Sequence, residues 1–263
     1  MKKLLALALI LASSSAIAKY PSSFSNAKKK AEKEVYFDQF KTFYCQCDFV
    51  FDDLDDVDND GDKKETKVDP KACGYEARNA ITSSGKENER VSRIEWEHVM
   101  PANIIGGHLD QWQNPENYEE CLKKNGKSIT GRKCAVKTVP EFKRAYIDLN
   151  NLVPAVGELN ADRSNYSFAN IEGEVRAYGK CDFEVDFASD TAEPADNVKG
   201  NIARIYLHMK HEHKVPLNEH ATIQMLEWSK LDPVDAWECK RNERIEEAQG
   251  LGNKFVKEAC SKQ

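Results

Sequence analysis

The stretch from Ile94 to Pro101 contains the two neighbours best suited to chemistry, Glu97 and His98. A neutral imidazole has an unperturbed pKa of about 6.5, so it can accept a proton from water near neutral pH. A carboxylate beside it can bind a hard cation such as Mg²⁺ through oxygen. Glutamate and histidine are also frequent neighbours on protein surfaces, so this pair needs other residues before it indicates a site.

Asparagines supply further candidate ligands later in the chain. Asn150, Asn151 and Asn160 lie among apolar residues between Asp148 and Tyr166. The amide oxygen of asparagine can ligate Mg²⁺, or it can fix a loop by hydrogen bonds. Asparagine is equally typical of turns and helix caps, so both interpretations remain open at this point.

The elements that must position these residues follow from the spacing of apolar residues. Residues 92–99 alternate, with apolar residues and His98 on one side and charged residues on the other, which predicts a strand that Pro101 ends. Residues 106–140 are rich in glycine, asparagine and lysine and predict a long loop held by Cys121 and Cys134. Helices are predicted for residues 25–43, 140–150, 154–160, 197–211 and 219–230, and for part of 234–259.

The first eighteen residues have the pattern of a secretory signal. Two lysines precede the apolar run Leu4–Ala12, and Ala16-Ile17-Ala18 provides the small residues of a cleavage site. The run is shorter than the roughly twenty apolar residues of a membrane span, and no later stretch approaches that length. We therefore expect a signal peptide at residues 1–18, one domain at 19–263, and a periplasmic or extracellular protein without membrane association.

The chain has eight cysteines, all after the expected signal peptide. An even number in an exported chain predicts disulfides. The paired spacing of a structural zinc site is absent from the sequence. Cys45 and Cys47 are too close to bridge comfortably to each other, so each is expected to pair elsewhere, and the sequence leaves the connectivity open.

The net charge of −6 is unusual for a protein that binds nucleic acid, since phosphate contacts draw on lysine and arginine. The acidic excess is concentrated in residues 48–69, an acidic insert with ten acidic and three basic residues. Residues 123–144 are rich in lysine and arginine and include Arg132. This basic stretch is either a phosphate-binding surface or an ordinary solvated one.

The acidic insert also resembles half of a calcium-binding loop. Asp56, Asp58 and Asp60, followed by Gly61, match the first half of an EF-hand loop. The twelfth position is Lys67 rather than glutamate, so the loop is not a complete EF-hand. Two interpretations stay open: a structural Ca²⁺ site, or a flexible acidic loop that aids solubility.

Four histidines lie close together in the sequence near its C-terminal third: His208, His211, His213 and His220. They do not form the HExxH motif of zinc proteases, because Val215 stands where the second histidine would be. We expect them to be surface residues.

Short motifs along nearly the whole exported chain match one nuclease family in order. They are Phe43-Tyr44-Cys45-Gln46-Cys47, Cys73-Gly74-Tyr75, Arg93-Ile94-Glu95-Trp96-Glu97-His98-Val99, Gly131-Arg132-Lys133, Asn151-Leu152 through Asn165, Ile202-Ala203-Arg204 and Trp237-Glu238-Cys239. On these residues the chain resembles the bacterial endonuclease I family of periplasmic and extracellular nucleases. The resemblance implies an α+β fold class: a mixed, helix-rich single domain, stapled by disulfides, around a ββα-metal (His-Me finger) motif.

The resemblance also implies roles for individual residues. By matching position, His98 is the general base and Arg132 is the cation near the scissile phosphate. Glu97 and Asn160 are the protein ligands of one divalent ion. Asn150 and Asn151 are expected to brace the site from behind, although many relatives carry histidine in place of Asn150.

The implied activity is that of a Mg²⁺-dependent endonuclease with little sequence preference. Its expected substrates are double- and single-stranded DNA and also RNA, cut by a monomer to leave 5′-phosphate ends. The expected cofactor is one Mg²⁺ per active site, for which other divalent ions can substitute. The alternative is a non-catalytic exported calcium-binding protein, which the acidic insert favours and the combination of Glu97, His98 and Asn160 argues against.

Overall fold

The computed structural model describes residues 19–51, 66–173 and 175–262. The expected signal peptide and the three aspartates of the half calcium loop, Asp56, Asp58 and Asp60, lie outside these residues. Among the described residues, no helix is long and apolar enough to cross a membrane.

The described chain combines many short helices with three small sheets. The strands are β1 (Asp48–Phe51), β2 (Thr66–Asp69), β3 (Ile94–His98), β4 (Leu152–Val156), β5 (Ser167–Phe168), β6 (Phe183–Asp186) and β7 (Thr191–Pro194). The helices are α1 (Phe24–Lys30), α2 (Pro70–Cys73), α3 (Ala102–Gly106), α4 (Asp110–Gln113), α5 (Gly131–Thr138), α6 (Pro140–Tyr146), α7 (Gly157–Arg163), α8 (Asp196–Glu212), α9 (Glu219–Leu231), α10 (Ala236–Gln249) and α11 (Lys254–Cys260). The sheets pair β1 with β2, β3 with β4, and β5, β7 and β6 in that order.

The antiparallel pair β3–β4 and the helix α7 that follows it form the expected ββα arrangement. Glu97 pairs with Val153, and His98 pairs with Leu152. All residues of β4 are buried, which explains their continuous apolar character. The predicted α+β class is confirmed, and the alternation in residues 92–99 correctly predicted β3.

The predicted helix over 154–160 was wrong at its start. Residues up to Val156 belong to β4, and α7 begins only at Gly157. The change of element occurs at a crowded point, because a Cβ on Gly157 would lie 2.8 Å from the backbone oxygen of Arg90. The resulting strand-to-helix turn places Asn160 on α7 beside Glu95 of β3.

The predicted helix over 25–43 is also shorter than expected. It consists of α1 and a π-helical turn, Ala31–Val35. The helix ends there because Tyr36 turns into the core, where its hydroxyl accepts a hydrogen bond of 2.7 Å from Arg241 of α10. Burial of this ring anchors the N-terminal segment against the C-terminal helices.

The loop predicted for residues 106–140 instead contains α4, α5 and two 3₁₀ turns. Its two cysteines, Cys121 and Cys134, are joined to each other, a pairing that the sequence left open. Gly131 begins α5 where the chain passes close to α4, and a Cβ there would lie 1.9 Å from the backbone oxygen of Trp112. The disulfide and this close contact hold the segment together, and Ala135 of α5 also packs in the main hydrophobic core.

The other disulfides join distant parts of the fold. They are Cys45–Cys181, Cys47–Cys73 and Cys239–Cys260. The prediction that Cys45 and Cys47 each pair elsewhere is confirmed. Cys45–Cys181 closes a sequence separation of 136 residues, and long closed loops restrict the unfolded chain most.

The long helix α8 lies at the centre of the helical part, with Ile202 and Met209 fully buried. Arg204 forms a buried ion pair with Glu238 of α10, with Nη2 to Oε2 at 2.5 Å. The predicted helices over 197–211 and 219–230 are confirmed as α8 and α9.

Candidate active site

A cleft of about 1120 Å³ runs along the exposed side of the ββα arrangement. Its lining includes Glu97 and His98 from the end of β3, Asn160 from α7 and Arg132 from α5. The fold therefore brings the four residues singled out in the sequence to one cavity, although they come from three separate parts of the chain.

His98 is held in one orientation by its second ring nitrogen. Its Nε2 lies 2.7 Å from the backbone oxygen of Tyr146. Because a carbonyl oxygen only accepts hydrogen bonds, Nε2 carries the proton and Nδ1 keeps its lone pair. Within the described residues Nδ1 has no hydrogen-bond partner, so it is available to a molecule in the cleft.

Two aromatic rings enclose the imidazole of His98. The ring of Phe24 stacks on it at a centroid distance of 5.0 Å, and the ring of Tyr146 stacks at 4.6 Å. Burial lowers the pKa of His98 to about 4, and the charges of Arg132 and Arg163 act in the same direction. The imidazole is therefore neutral at physiological pH, the state that a proton acceptor requires.

Glu97 is a buried carboxylate with one oxygen engaged. Its Oε1 accepts hydrogen bonds from Arg163 Nη1 at 2.9 Å and from the hydroxyl of Tyr44 at 3.1 Å. Burial raises the pKa of Glu97 to about 7 against the opposing effect of Arg163. Its Oε2 has no hydrogen-bond partner among the described residues. Because Glu97 lines the cleft, this oxygen is available to a ligand there.

Asn160 presents its amide oxygen in the same cavity. Its Nδ2 donates to Glu95 Oε2 at 2.8 Å, which fixes the amide orientation because a carboxylate can only accept. Glu95 is itself paired with Arg90 at 2.9 and 2.5 Å, so its negative charge is already compensated. The Oδ1 of Asn160 is left without a donor in the part of the chain that the structure describes.

These two oxygens fit a divalent cation. Glu97 Oε2 and Asn160 Oδ1 are a carboxylate and an amide oxygen, the ligand types that Mg²⁺ prefers. Neither oxygen is occupied by a donor from the described residues, and both residues line one cleft. A cation there would also compensate the buried carboxylate, whose raised pKa reflects incomplete neutralisation by Arg163.

Arg132 is the second residue of α5 and lies over the ring of Trp112, 5.6 Å from its centroid. No carboxylate among the described residues pairs with it. Its charge contributes to lowering the pKa of His98, and both residues line the same cleft. The arginine is therefore free to contact an anion in the cleft.

The basic lining of the cleft comes only in part from the basic stretch of residues 123–144. Among the residues that the structure describes, the basic stretch of residues 123–144 contributes Arg132 to the lining. Lys28, Lys29 and Lys33 reach the cleft from α1 and the π-helical turn. The positive surface is thus assembled mainly from distant segments, which a run of charges in sequence does not reveal.

Arg163 is the functional side chain that sequence reasoning missed. It is fully buried, and besides Glu97 its guanidinium donates to the backbone oxygens of His98, at 3.0 Å, and Val99. It thereby ties α7 to the end of β3 and fixes the carboxylate of Glu97. The available signal was its position on α7, three residues after Asn160 and so on the same side of the helix.

Asn150 and Asn151 are both buried and do not line the cleft, and they contact different groups. Asn151 clamps Met100, accepting from its N–H at 2.7 Å and donating to its oxygen at 2.9 Å. Asn150 instead contacts Asp148, to which its backbone N–H donates at 2.8 Å. Asn151 therefore fixes the turn after His98, whereas Asn150 belongs to a separate polar cluster.

The prediction of surface histidines was wrong for two of the four. The side chains of His208 and His213 are 2% and 6% exposed, and both Nε2 atoms contact Asp148 Oδ2. Burial raises the pKa of Asp148, but the two histidines outweigh it and hold the pKa well below its usual range. His211 and His220 are exposed as expected.

Comparison with known proteins identifies the family of the chain. The family model for Endonuclease I matches residues 22–260, almost the whole chain. The chain belongs to the Endonuclease I family. The family resemblance seen in the short motifs is therefore confirmed.

The curated relatives match over similar lengths. An extracellular deoxyribonuclease of Aeromonas hydrophila is 36% identical over 98% of this chain and 99% of its own length. A periplasmic deoxyribonuclease of the same organism is 34% identical over 98% of this chain and 95% of its own length. An endonuclease-1 of Buchnera aphidicola is 33% identical over 84% of this chain and 75% of its own length.

Membership of the Endonuclease I family, together with the disulfides, confirms the expected export of the chain. Stable disulfides form in oxidising compartments outside the cytoplasm. The family also makes nucleic acid the expected class of substrate and a divalent metal the expected class of cofactor.

Proposed function

We propose that this protein is a Mg²⁺-dependent endonuclease that hydrolyses the phosphodiester bonds of DNA and RNA with little sequence preference. One observation supports the proposal: His98, Glu97 and Asn160 line one cleft, and each keeps an atom (Nδ1, Oε2 and Oδ1) without a hydrogen-bond partner among the described residues. A proton acceptor and a cation site side by side are what metal-assisted hydrolysis of a phosphodiester requires.

His98 acts as the general base. Its Nδ1 removes a proton from the water that attacks phosphorus, and the resulting imidazolium donates from Nε2 to the backbone oxygen of Tyr146. That hydrogen bond strengthens as the ring becomes charged. The stacked rings of Phe24 and Tyr146 hold the imidazole in place, so that little orientation is lost before reaction.

Glu97 and Asn160 would hold the cation through Oε2 and Oδ1. When bound, Mg²⁺ supplies electrostatic stabilisation to the phosphate and to the leaving 3′ oxygen. Arg163 and Tyr44 orient Glu97, and Glu95 orients Asn160. Because both proposed protein ligands are oxygens, other oxygen-preferring divalent ions can replace Mg²⁺.

Arg132 binds the scissile phosphate, for which a planar guanidinium is suited. Lys28, Lys29 and Lys33 contact further phosphates along the cleft. Phosphate contacts position nucleic acid without reading its sequence, which accounts for the low sequence preference. Water attacks phosphorus opposite the leaving 3′ oxygen, so that the product carries a 5′-phosphate. Because no step uses the ribose 2′-hydroxyl, the same mechanism applies to single- and double-stranded DNA and to RNA.

The half calcium loop stays a separate proposal. Its flanking strands meet where Phe51 pairs with Thr66, so the two ends of the insert lie side by side. A Ca²⁺ bound by Asp56, Asp58 and Asp60 would be structural. Calorimetry with the Asp58→Ala variant tests it, since loss of one Ca²⁺ equivalent without loss of nuclease activity is the expected result.

The proposed function is tested with the purified, oxidised protein on supercoiled plasmid and on labelled RNA, with Mg²⁺ or with EDTA. Both substrates should be degraded to fragments with 5′-phosphate ends in Mg²⁺, and neither should be cut in EDTA. Asn160→Ala should raise the Mg²⁺ concentration for half-maximal rate by about tenfold or more. Asn125→Ala, in an exposed turn, is the matched control and should not change it. Full activity in EDTA would refute the metal dependence.

A further inference from the structure

A second cluster of metal-ligating side chains lies outside the cleft. His208 Nε2 and His213 Nε2 lie 2.9 and 2.6 Å from the same oxygen, Asp148 Oδ2. The three ligand atoms are within 4.8 Å of one another. None of these residues lines the cleft that contains His98. We propose that Asp148, His208 and His213 form a second metal site, selective for zinc-like transition metals.

The ligand set favours a transition metal over Mg²⁺. Two imidazoles and one carboxylate suit Zn²⁺ and its neighbours, whereas Mg²⁺ prefers oxygen ligands and retained waters. Three protein ligands leave one position of a tetrahedral ion for water. The cluster therefore differs in chemistry from the oxygen pair of Glu97 and Asn160.

The carboxylate of Asp148 is fixed to present a single oxygen to the histidines. Its Oδ1 accepts from Asn150 N–H at 2.8 Å, from Asn150 Nδ2 at 3.0 Å and from Gln249 Nε2 at 2.7 Å. Its Oδ2 is left for the two imidazoles. Hydrogen bonds that saturate the outer oxygen of a carboxylate ligand are typical of the surroundings of bound metals.

A buried acceptor next to the cluster also lacks a donor. Asn150 is 1% exposed, and its Oδ1 has no hydrogen-bond partner among the described residues. A buried polar atom without a partner costs free energy and is uncommon. Water in the fourth position of an ion at Asp148 would be a hydrogen-bond donor in this neighbourhood.

The ligands must separate slightly to admit an ion. At metal–ligand distances of about 2.0–2.1 Å, tetrahedral ligand atoms lie about 3.3 Å apart, which is longer than the 2.9 and 2.6 Å of the hydrogen-bonded cluster. His213 can move most easily, because it follows the last residue of α8 and precedes Lys214, an exposed residue at φ +56°. Each imidazole would then bind the ion through Nε2 and carry its proton on Nδ1.

The test measures Zn²⁺ binding to metal-free protein in an Asn160→Ala background, which weakens the proposed Mg²⁺ site. One tightly bound Zn²⁺ is expected, with a rise in Tm of about 5–10 °C at a concentration one hundred times Kd. Co²⁺ in its place should give the visible absorption of a four-coordinate ion. Absence of a tight equivalent of Zn²⁺ would overturn the proposal.

Variants of two histidines near the end of α8 make the test specific. His213→Gln keeps an N–H that can donate to Asp148 but removes the imidazole, so it should fold and yet bind Zn²⁺ at least tenfold to one hundredfold more weakly. His211→Ala removes an exposed histidine two residues earlier, in the last turn of α8, and should bind like the parent. Equal Zn²⁺ affinity in His213→Gln, or equal loss in both variants, would contradict the assignment. Far-ultraviolet circular dichroism confirms that each variant is folded.

Discussion

Replacing Arg163 by methionine tests the buried pair that positions the proposed catalytic residues. The substitution keeps an unbranched side chain of similar length but removes the guanidinium. Four acceptors then lose a donor: Glu97 Oε1, the hydroxyl oxygen of Tyr206, and the backbone oxygens of His98 and Val99. Their burial prevents water from replacing the arginine, because Arg163 is fully buried and Glu97 is 3% exposed.

The expected cost follows from this burial. Removing one partner of a buried ion pair destabilises a protein by about 3–5 kcal/mol. For a chain of this length each kcal/mol lowers Tm by about 2–4 °C, so Tm should fall by roughly 6–20 °C. The control is Arg144→Met, which breaks an exposed contact with Glu141 and should change stability by less than about 0.5 kcal/mol.

The loss in Arg163→Met should also depend on pH. Burial already raises the pKa of Glu97 to about 7, above that of an unfolded glutamate, and loss of the arginine raises it further. When the pKa of Glu97 is higher in the folded state than in the unfolded state, the folded state binds the proton more tightly. The stability of the fold therefore increases as pH falls toward the pKa of glutamate in the unfolded chain. The difference in Tm from wild type should therefore be larger at pH 8 than at pH 5.

The assay is thermal unfolding of metal-free wild type, Arg163→Met and Arg144→Met at both pH values, followed by circular dichroism. A drop in Tm for Arg163→Met no larger than for Arg144→Met would refute the energetic role of the pair. An equal drop at pH 5 and pH 8 would refute the assignment of the cost to the charge of Glu97.

Three further predictions concern the cleft. Because the pKa of Glu97 in the metal-free protein is about 7, the apparent Mg²⁺ affinity should fall about tenfold per pH unit below pH 7. Titration of the cleavage rate with Mg²⁺ measures this affinity. A flat profile from pH 7 to 5 would count against Glu97 as a ligand. Gly131→Ala should lower the free energy of unfolding by about 1–3 kcal/mol and reduce kcat/KM. The reason is that the added Cβ would lie 1.9 Å from the backbone oxygen of Trp112 and displace α5. Unchanged Tm and kcat/KM would show that this close contact matters neither for stability nor for activity. Arg132→Lys should retain more kcat/KM than Arg132→Ala but less than wild type. Lysine keeps the positive charge but cannot donate two parallel hydrogen bonds to a phosphate as the guanidinium does. Equal activity in all three proteins would exclude a phosphate contact.

Sequence reasoning succeeded where the signal was local. The alternation of residues 92–99 defined β3, and Pro101 marked its end. The short motifs then placed Glu97, His98 and Asn160 together. The strand β4 was missed because a short, fully buried apolar run has no period that separates strand from helix.

The remaining errors concern charged residues whose burial depends on distant partners. His208 is buried because it meets Asp148, 60 residues away in the sequence. Arg163 is buried because it meets Glu97, 66 residues away. Arginine is usually exposed and histidine is often partly exposed, so their residue type alone favours a position on the surface. The groups that compensate their burial come close to them only in the tertiary structure.

The most direct test of the account is the single-turnover rate of plasmid cleavage by His98→Ala in saturating Mg²⁺, with DNA affinity measured alongside. Loss of the proton acceptor should lower the rate by about 10²–10⁴-fold, while DNA affinity stays within about twofold because the phosphate contacts of the cleft remain. A variant that cleaves as fast as wild type would contradict the central claim that His98 activates the attacking water.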